Sequence, residues 1–229
     1  MGSGAALLSQ MTYEELDHLC RAKALRILGA FSVDLEHDTD LAGFQTLMML
    51  GPDEPSFWPI FTSSAEFEKP KDPMDHWSKR VIGALADELA GKAFFPSDGP
   101  PYPPFFTWAT RTQRCHSSPV NLLVHDRAGM MVSFRGALAL REAVALPDPP
   151  EGPCLSCAET PCFSSCPVNA LTPDGYDVTA CKSHISSPAG RECMQGCKVR
   201  LACPVSQTFG RLPAQSEFHM RAFLGPDIT

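Results

Sequence analysis

Eight of the ten cysteines lie between Cys154 and Cys203, leaving only Cys20 and Cys115 for the other 179 of the 229 residues. They fall into two runs. The first is Cys154-x2-Cys157-x4-Cys162-x3-Cys166-Pro167; the second holds Cys181, Cys193, Cys197 and Cys203-Pro204. Close-set thiolates on tight loops are soft-metal ligands. The first run differs from the bacterial ferredoxin run C-x2-C-x2-C-x3-C-P only in a longer middle gap. Three such thiolates reach three corners of one iron–sulfur cube, and the proline after the fourth turns the chain away. In two-cluster proteins of this kind the fourth cysteine of each run ligates the other cluster. That pattern assigns Cys154, Cys157, Cys162 and Cys203 to one 4Fe-4S cluster, and Cys181, Cys193, Cys197 and Cys166 to a second. Two zinc sites or four disulfides are the alternatives. Zinc ribbons pair C-x2-C knuckles across long spacers, and only Cys154/Cys157 forms one here. Disulfide frameworks belong to small exported chains.

These thiols need elements to position them. Leu155, Phe163, Val168, Leu171, Val199 and Leu201 are expected to wrap the clusters and exclude water. Lys182, Arg191, Lys198 and Arg200 are expected to be mostly solvated. The stiff linker Pro147 to Pro153 places a boundary near residue 150, dividing the chain into domains 1–150 and 151–229. Upstream, Thr12-Tyr-Glu-Glu15 fits a capping box, and helical apolar spacing continues from Leu16 to Leu28. Ile27 to Val33 and Thr46 to Leu50 read as candidate strands. Asp72-Pro73 to Ala90-Gly91 reads as an amphipathic helix with an acidic cap, burying Trp77, Val81, Ile82, Leu85 and Leu89. The prolines between Ala93 and Pro119 predict extended chain there and no helix. Val120 to Val124, a turn over 125–129 and Met130 to Leu140 read as a hairpin. The fold class is α+β, and Cys20 and Cys115 are expected to be small packing residues.

Composition removes several function classes. No stretch approaches the roughly 18 uncharged apolar residues of a membrane span. The net charge of −7 opposes non-specific binding to nucleic acid or anionic membrane. The opening MGSGAALLSQM lacks the basic start and long apolar run of a secretory signal, so a cytoplasmic location is expected. G-x-G-x-x-G, the phosphate loop and G-x-S-x-G do not occur, which leaves no dinucleotide fold or serine hydrolase indicated.

The segment Cys154 to Pro204, with its isolated Cys181, resembles the ferredoxin-like dicluster domain of epoxyqueuosine reductases and the related reductive dehalogenases. Asn121-Leu-Leu-Val-His-Asp-Arg-Ala-Gly129 and Phe134-Arg-Gly-Ala-Leu-Ala-Leu140 are similar to the stretch entering that domain, so the likeness covers about the last 110 residues. It implies a trimmed nitroreductase-like, cobalamin-binding-like N-terminal domain, two 4Fe-4S clusters, and a cobalamin- or flavin-linked oxidoreductase. Its electrons would come from a flavodoxin, ferredoxin or flavoprotein. Three gaps, Cys157-x4-Cys162, Cys193-x3-Cys197 and Cys197-x5-Cys203, are longer than the family's usual ones. Only residues 207–229 follow the second run, so the helical repeats that hold tRNA are not expected and nucleic acid is not an expected partner. The other reading is a non-catalytic carrier whose N-terminal domain docks a partner protein.

Further candidates are few. Asp98, in Phe95-Pro-Ser-Asp98-Gly-Pro, stands about where the reductases keep a proton-donating Asp, and it also suits an ordinary solvated turn. His116 is a candidate pocket residue or a structural one. His18, His37, His76, His125, His184 and His219 show no ligand spacing with one another or with carboxylates. Trp58, Trp77 and Trp108 are expected in the core.

Overall fold

A computed structural model describes residues 11–225; the opening residues 1–10, read above for an export signal, lie outside it. The chain is α+β and folds as two compact units. Unit one comprises Met1–Arg114 and Ser133–Pro150; unit two comprises Cys115–Val132 and Glu151–Thr229. Unit one ends at Pro150, and residues 115–132 belong with the cysteine-rich segment. No helix of the described residues is long and apolar enough to cross a membrane.

Unit one opens with helix α1 (Tyr13–Arg21), whose capping box forms between Thr12 and Glu15. The helix stops sooner than its apolar spacing predicts. Ala24 takes a left-handed φ of 59°, and Leu25–Ser32 continues as strand β1 because it pairs antiparallel with β2 (Thr46–Pro52). Helices α2 (Phe57–Thr62) and α3 (Pro73–Glu88) follow, and α3 leads to strand β3 (Lys92–Phe94). The predicted α3 face is buried, but Asp72 caps nothing with its side chain; its backbone is left-handed. The proline-rich stretch contains a helix after all, α4 (Phe105–Arg111), since the prolines stop at Pro104 and the next seven residues are free to form it. Strand β6 (Gly136–Leu140) is buried along its whole length and lies between β2 and β3, giving the sheet order β1-β2-β6-β3 with every neighbouring pair antiparallel. A strand buried on both faces reads as an uninterrupted apolar run, and this explains Leu47-Met-Met-Leu50 as well.

Aromatic packing anchors α3. The Trp77 ring meets Phe57 edge-on at 5.2 Å and Phe61 at 6.3 Å, and Trp77 is 2% exposed. Trp77→Ala should therefore cost about 3–5 kcal/mol of unfolding free energy in a urea titration. A loss within 1 kcal/mol would show that the surrounding rings collapse into the gap. Trp108 is also buried, while Trp58 is half-buried. Cys20 is buried and its thiol is pushed up to about 12, so it packs as a neutral group.

A second determinant titrates. Arg80 holds the buried Glu66 carboxylate bidentately, Nε to Oε1 at 2.5 Å and Nη2 to Oε2 at 3.0 Å. The hydrogen bonds from Arg80 lower Glu66 from the ordinary 4.5 to about 2. A depressed carboxylate stabilises the fold above its unfolded value, and the contribution disappears as pH falls through the folded one. Arg80 is more than half exposed, so solvent screens the pair and its size is modest. The stability gap between wild type and Glu66→Gln should accordingly be flat above about pH 5 and close towards pH 2. A pH-independent gap in parallel denaturation curves would count against this.

In unit two, strands β4 (Cys115–Ser117) and β5 (Leu123–His125) form a small antiparallel ribbon. The hairpin predicted between 120–124 and 130–140 does not form. Residues 123–125 pair with 115–117, and 136–140 join the sheet of unit one, leaving only a bridge between His125 and Gly129. A second ribbon, β7 (Leu171–Thr172) and β8 (Gly175–Tyr176), precedes five helices: α5 (Val178–Ile185), α6 (Arg191–Met194), α7 (Lys198–Ala202), α8 (Pro204–Gln207) and α9 (Pro213–Leu224).

Candidate metal centre

The segment 115–132 forms one wall of the cysteine-rich unit, and local chemistry fixes its turn. Fully buried His125 accepts the backbone N–H groups of Arg127 and Ala128 on Nδ1, at 3.0 and 3.1 Å. Gly129 is left-handed (φ +55°), and a Cβ there would lie 2.4 Å from the Ser206 nitrogen, so only glycine allows the approach. The Met130 N–H donates to Ser206 Oγ at 2.9 Å, two residues beyond Pro204. Arg200 donates to the Met130 carbonyl, Arg211 to the Met131 carbonyl at 2.9 Å, and Asn121 to the Pro173 carbonyl at 2.6 Å.

Against this wall the chain delivers its thiols. Cys162 sits in a 3-10 turn (Pro161–Phe163), Cys181 on α5, Cys193 on α6, Cys197 at the start of α7, and Cys203 in the extended break between α7 and α8. Gly190 lets the turn before α6 press on the end of α5; a Cβ there would fall 2.1 Å from the His184 carbonyl oxygen. Cys154, Cys157, Cys162 and Cys203 line one cavity of about 160 Å³, together with Pro119, Val124 and Met130 from the wall. Cys166, Cys181, Cys193 and Cys197 line a second, tighter cavity of about 20 Å³, along with Leu171 and His184. Each quartet takes three cysteines from one run and the last cysteine of the other.

None of the ten cysteines is in a disulfide. Burial, and then the sulfurs of Cys203, Cys162 and Cys157, push the Cys154 thiol up. Burial pushes up Cys162 as well, against backbone N–H groups of Cys162 and Phe163 that favour the thiolate. Burial again leads at Cys181, opposed by a hydrogen bond donated from the Tyr176 hydroxyl, and at Cys193, where Cys197 adds to it and Lys198 opposes it. Ala170 N–H donates to Cys166 Sγ at 3.1 Å. Four crowded sulfurs become thiolates together only around a positive centre.

The donor set suits a soft metal, since no carboxylate lines either cavity. A single zinc ion would hold four sulfurs at about 2.3 Å, roughly 3.8 Å apart. Among the described residues the one group of three or more such ligands drawn within 4.8 Å of one another is Asp34, Glu36 and His37, all exposed, and it contains no cysteine. This also corrects the reading of His37, whose Nδ1 lies 2.8 Å from Asp34 Oδ2 within a single turn. The tightness of the second cavity does not exclude a metal core, because metal–sulfur bonds are far shorter than the contacts that bound a water.

Other expectations change. Leu171 and Val199 are buried in the hydrophobic core of this unit with Val120, Val124 and Met130. Leu155, Phe163, Val168 and Leu201 are instead exposed, Leu155 by 81%. The basic residues are less free than expected. Besides Arg200, Lys198 pairs with Glu192 at 2.6 Å, and Lys182 donates to the Leu224 carbonyl at 3.3 Å. Asp98 is a turn residue: its Oδ2 accepts the Phe95 N–H at 3.0 Å and its Oδ1 meets Lys79 at 2.9 Å. His116 lies on β4 against Gly152, its Nε2 buried without a hydrogen-bond partner, and it does not line either cavity. Cys115 is buried and lines neither cavity. Sequence reasoning missed Pro119, Val124, Met130 and Tyr176, for which no local pattern existed.

Comparison with known proteins finds no matching family, no similar curated protein and no similar solved structure.

Proposed function

We propose that the protein is an iron–sulfur electron-transfer protein in which each cysteine quartet holds one 4Fe-4S cluster. The observation that carries this reading is the exchange of the last cysteine between the two quartets, which fits two linked clusters. When bound, such clusters take up and release electrons singly. The chain supplies eight thiolates, an apolar wall of Val120, Val124, Met130, Leu171 and Val199 that excludes water, and a backbone N–H donor from Ala170 to Cys166 Sγ.

In the reductase-like form of this reading, electrons from a flavodoxin, ferredoxin or flavoprotein reach a cofactor or substrate held by the first unit. In the carrier form the first unit instead docks a partner protein. Anaerobic purification with iron, sulfide, zinc and cobalt analysis and a visible spectrum tests both. The expected result is about eight irons and eight sulfides per chain. Zinc without sulfide would overturn the cluster reading, and cobalt or flavin at one equivalent would overturn the carrier form.

A further inference from the structure

The first quartet is the roomier and more open of the two. Its cavity of about 160 Å³ is lined by short loops, with Ser156 and Pro204 exposed and Cys154 and Cys157 half-buried. The second cavity, about 20 Å³, has Met220 of α9 in its lining.

Large apolar side chains stand out from the loops of the first quartet. Leu155, directly after Cys154, is 81% exposed, and Phe163, directly after Cys162, is 44% exposed. Helix α7 packs on the Pro161–Phe163 turn and carries a third, Leu201, two residues before Cys203. Water solvates such groups poorly, and exposed apolar side chains gathered about one place and edged by polar ones mark contact surfaces.

The charge at their edge has one sign. Glu151 and Glu159, either side of Leu155, are exposed, and residues 151–181 contain four carboxylates and no lysine, arginine or histidine. The basic side chains come later, beside ligands of the second quartet: Lys182 after Cys181, Arg191 before Cys193, Lys198 after Cys197. A field of this shape draws a basic protein surface to the first quartet's loops. We propose that these loops, around Leu155 and Phe163, are the docking face for a one-electron redox protein whose contact surface is apolar at its centre and basic at its rim. Both side chains adjoin a ligand thiol, so a partner seated on them lies within one residue of the first site's ligands. One electron then passes between that site and the partner's centre, with no bond made or broken and no proton moved. This rests on the two-cluster reading and applies to the reductase and carrier forms alike.

Ferric cytochrome c, a small haem protein with a lysine-rich face, is the probe, and iron and sulfide are assayed on every sample. Calorimetry at low salt measures binding. Stopped-flow absorbance measures electron transfer after the protein is reduced with dithionite and the excess is removed. Wild type should bind and reduce the probe, with a rate that falls about tenfold or more between about 0.02 and 0.3 M salt. Leu155→Ala should weaken binding about tenfold, and Glu151→Lys with Glu159→Lys about a hundredfold, with about eight irons kept per chain. Asp87→Lys with Glu88→Lys, at exposed positions on α3, changes the net charge equally and should leave binding within about twofold. Equal losses in the two charge-reversed proteins, or binding that Leu155→Ala leaves unchanged, would overturn the docking face. A fully loaded wild type that neither binds nor reduces the probe would overturn it too. So would a wild-type dimer that Leu155→Ala disperses in sedimentation, which would give the face to a second copy. Wild-type protein without iron and sulfide would instead overturn the two-cluster reading itself.

Discussion

Cys203→Ala should halve the iron content, from about eight to about four atoms per chain, and the iron lost should be that of the first run. Cys203 follows Cys197 as the last cysteine of the second run, yet it lines the cavity of Cys154, Cys157 and Cys162. Cys166 likewise belongs with Cys181, Cys193 and Cys197. Pairs of substitutions expose this crossing. Cys166→Ala combined with Cys181→Ala removes two ligands of one site, so it should lose no more iron than Cys166→Ala alone. Cys166→Ala with Cys203→Ala strikes both sites and should leave almost none. If each run instead built its own cluster, Cys203→Ala with Cys181→Ala would spare the iron of the first run, whereas the crossed arrangement loses both. Cys20→Ala and Cys115→Ala are the controls and should keep full iron, since both thiols are buried away from the cavities.

Stripping the metal should melt unit two and leave unit one folded. One buried cluster of unit two joins Val120, Val124, Met130, Leu171 and Val199 to the thiols Cys162 and Cys203. The proposed metal ligands are thus part of its packing, and small units with much irregular chain depend on staples. Where a metal is the staple, its binding energy is folding energy, about 10–16 kcal/mol for structural zinc at neutral pH. Trp58, Trp77 and Trp108 all lie in unit one, so tryptophan fluorescence reports that unit alone. After anaerobic chelation the emission maximum should stay put while amide hydrogens over 151–225 lose their protection. A red-shifted emission, or protection retained over 151–225, would show that the metal is not what holds this unit.

The parts legible in the sequence share a short range of interaction. The capping box of α1 closes within four residues, Thr12 N–H to Glu15 Oε2 at 2.8 Å and Glu15 N–H to Thr12 Oγ1 at 3.3 Å. The buried stripe of α3 repeats every turn. The two groups of thiols were legible because cysteine type and spacing are themselves the signal. Leu25 to Leu28 could be read as helix or strand by spacing, and pairing with residues some 25 positions away decided it. The false hairpin failed for the same reason. Its two halves both looked like strands, and nothing local said that Cys115–Ser117 and the central sheet would claim them separately. Tyr176 illustrates the limit for the site: its partners are Cys181 nearby and Phe223 far along the chain, and only the fold joins them.

The two units interleave along the chain, and that sets how they can be made and inherited. During synthesis the wall residues 115–132 emerge before β6 completes unit one, and they must wait for the cysteine-rich segment that follows. At 5–20 residues per second the wall waits several seconds for Cys203 to be made. A fragment starting at residue 151 would lack Val120, Val124 and Met130, and one ending at 114 would lack the central strand of its sheet. A single genetic crossover therefore cannot exchange one unit for a homologue and leave the other whole. The cysteine-rich segment must pass between lineages with its α+β companion as one piece.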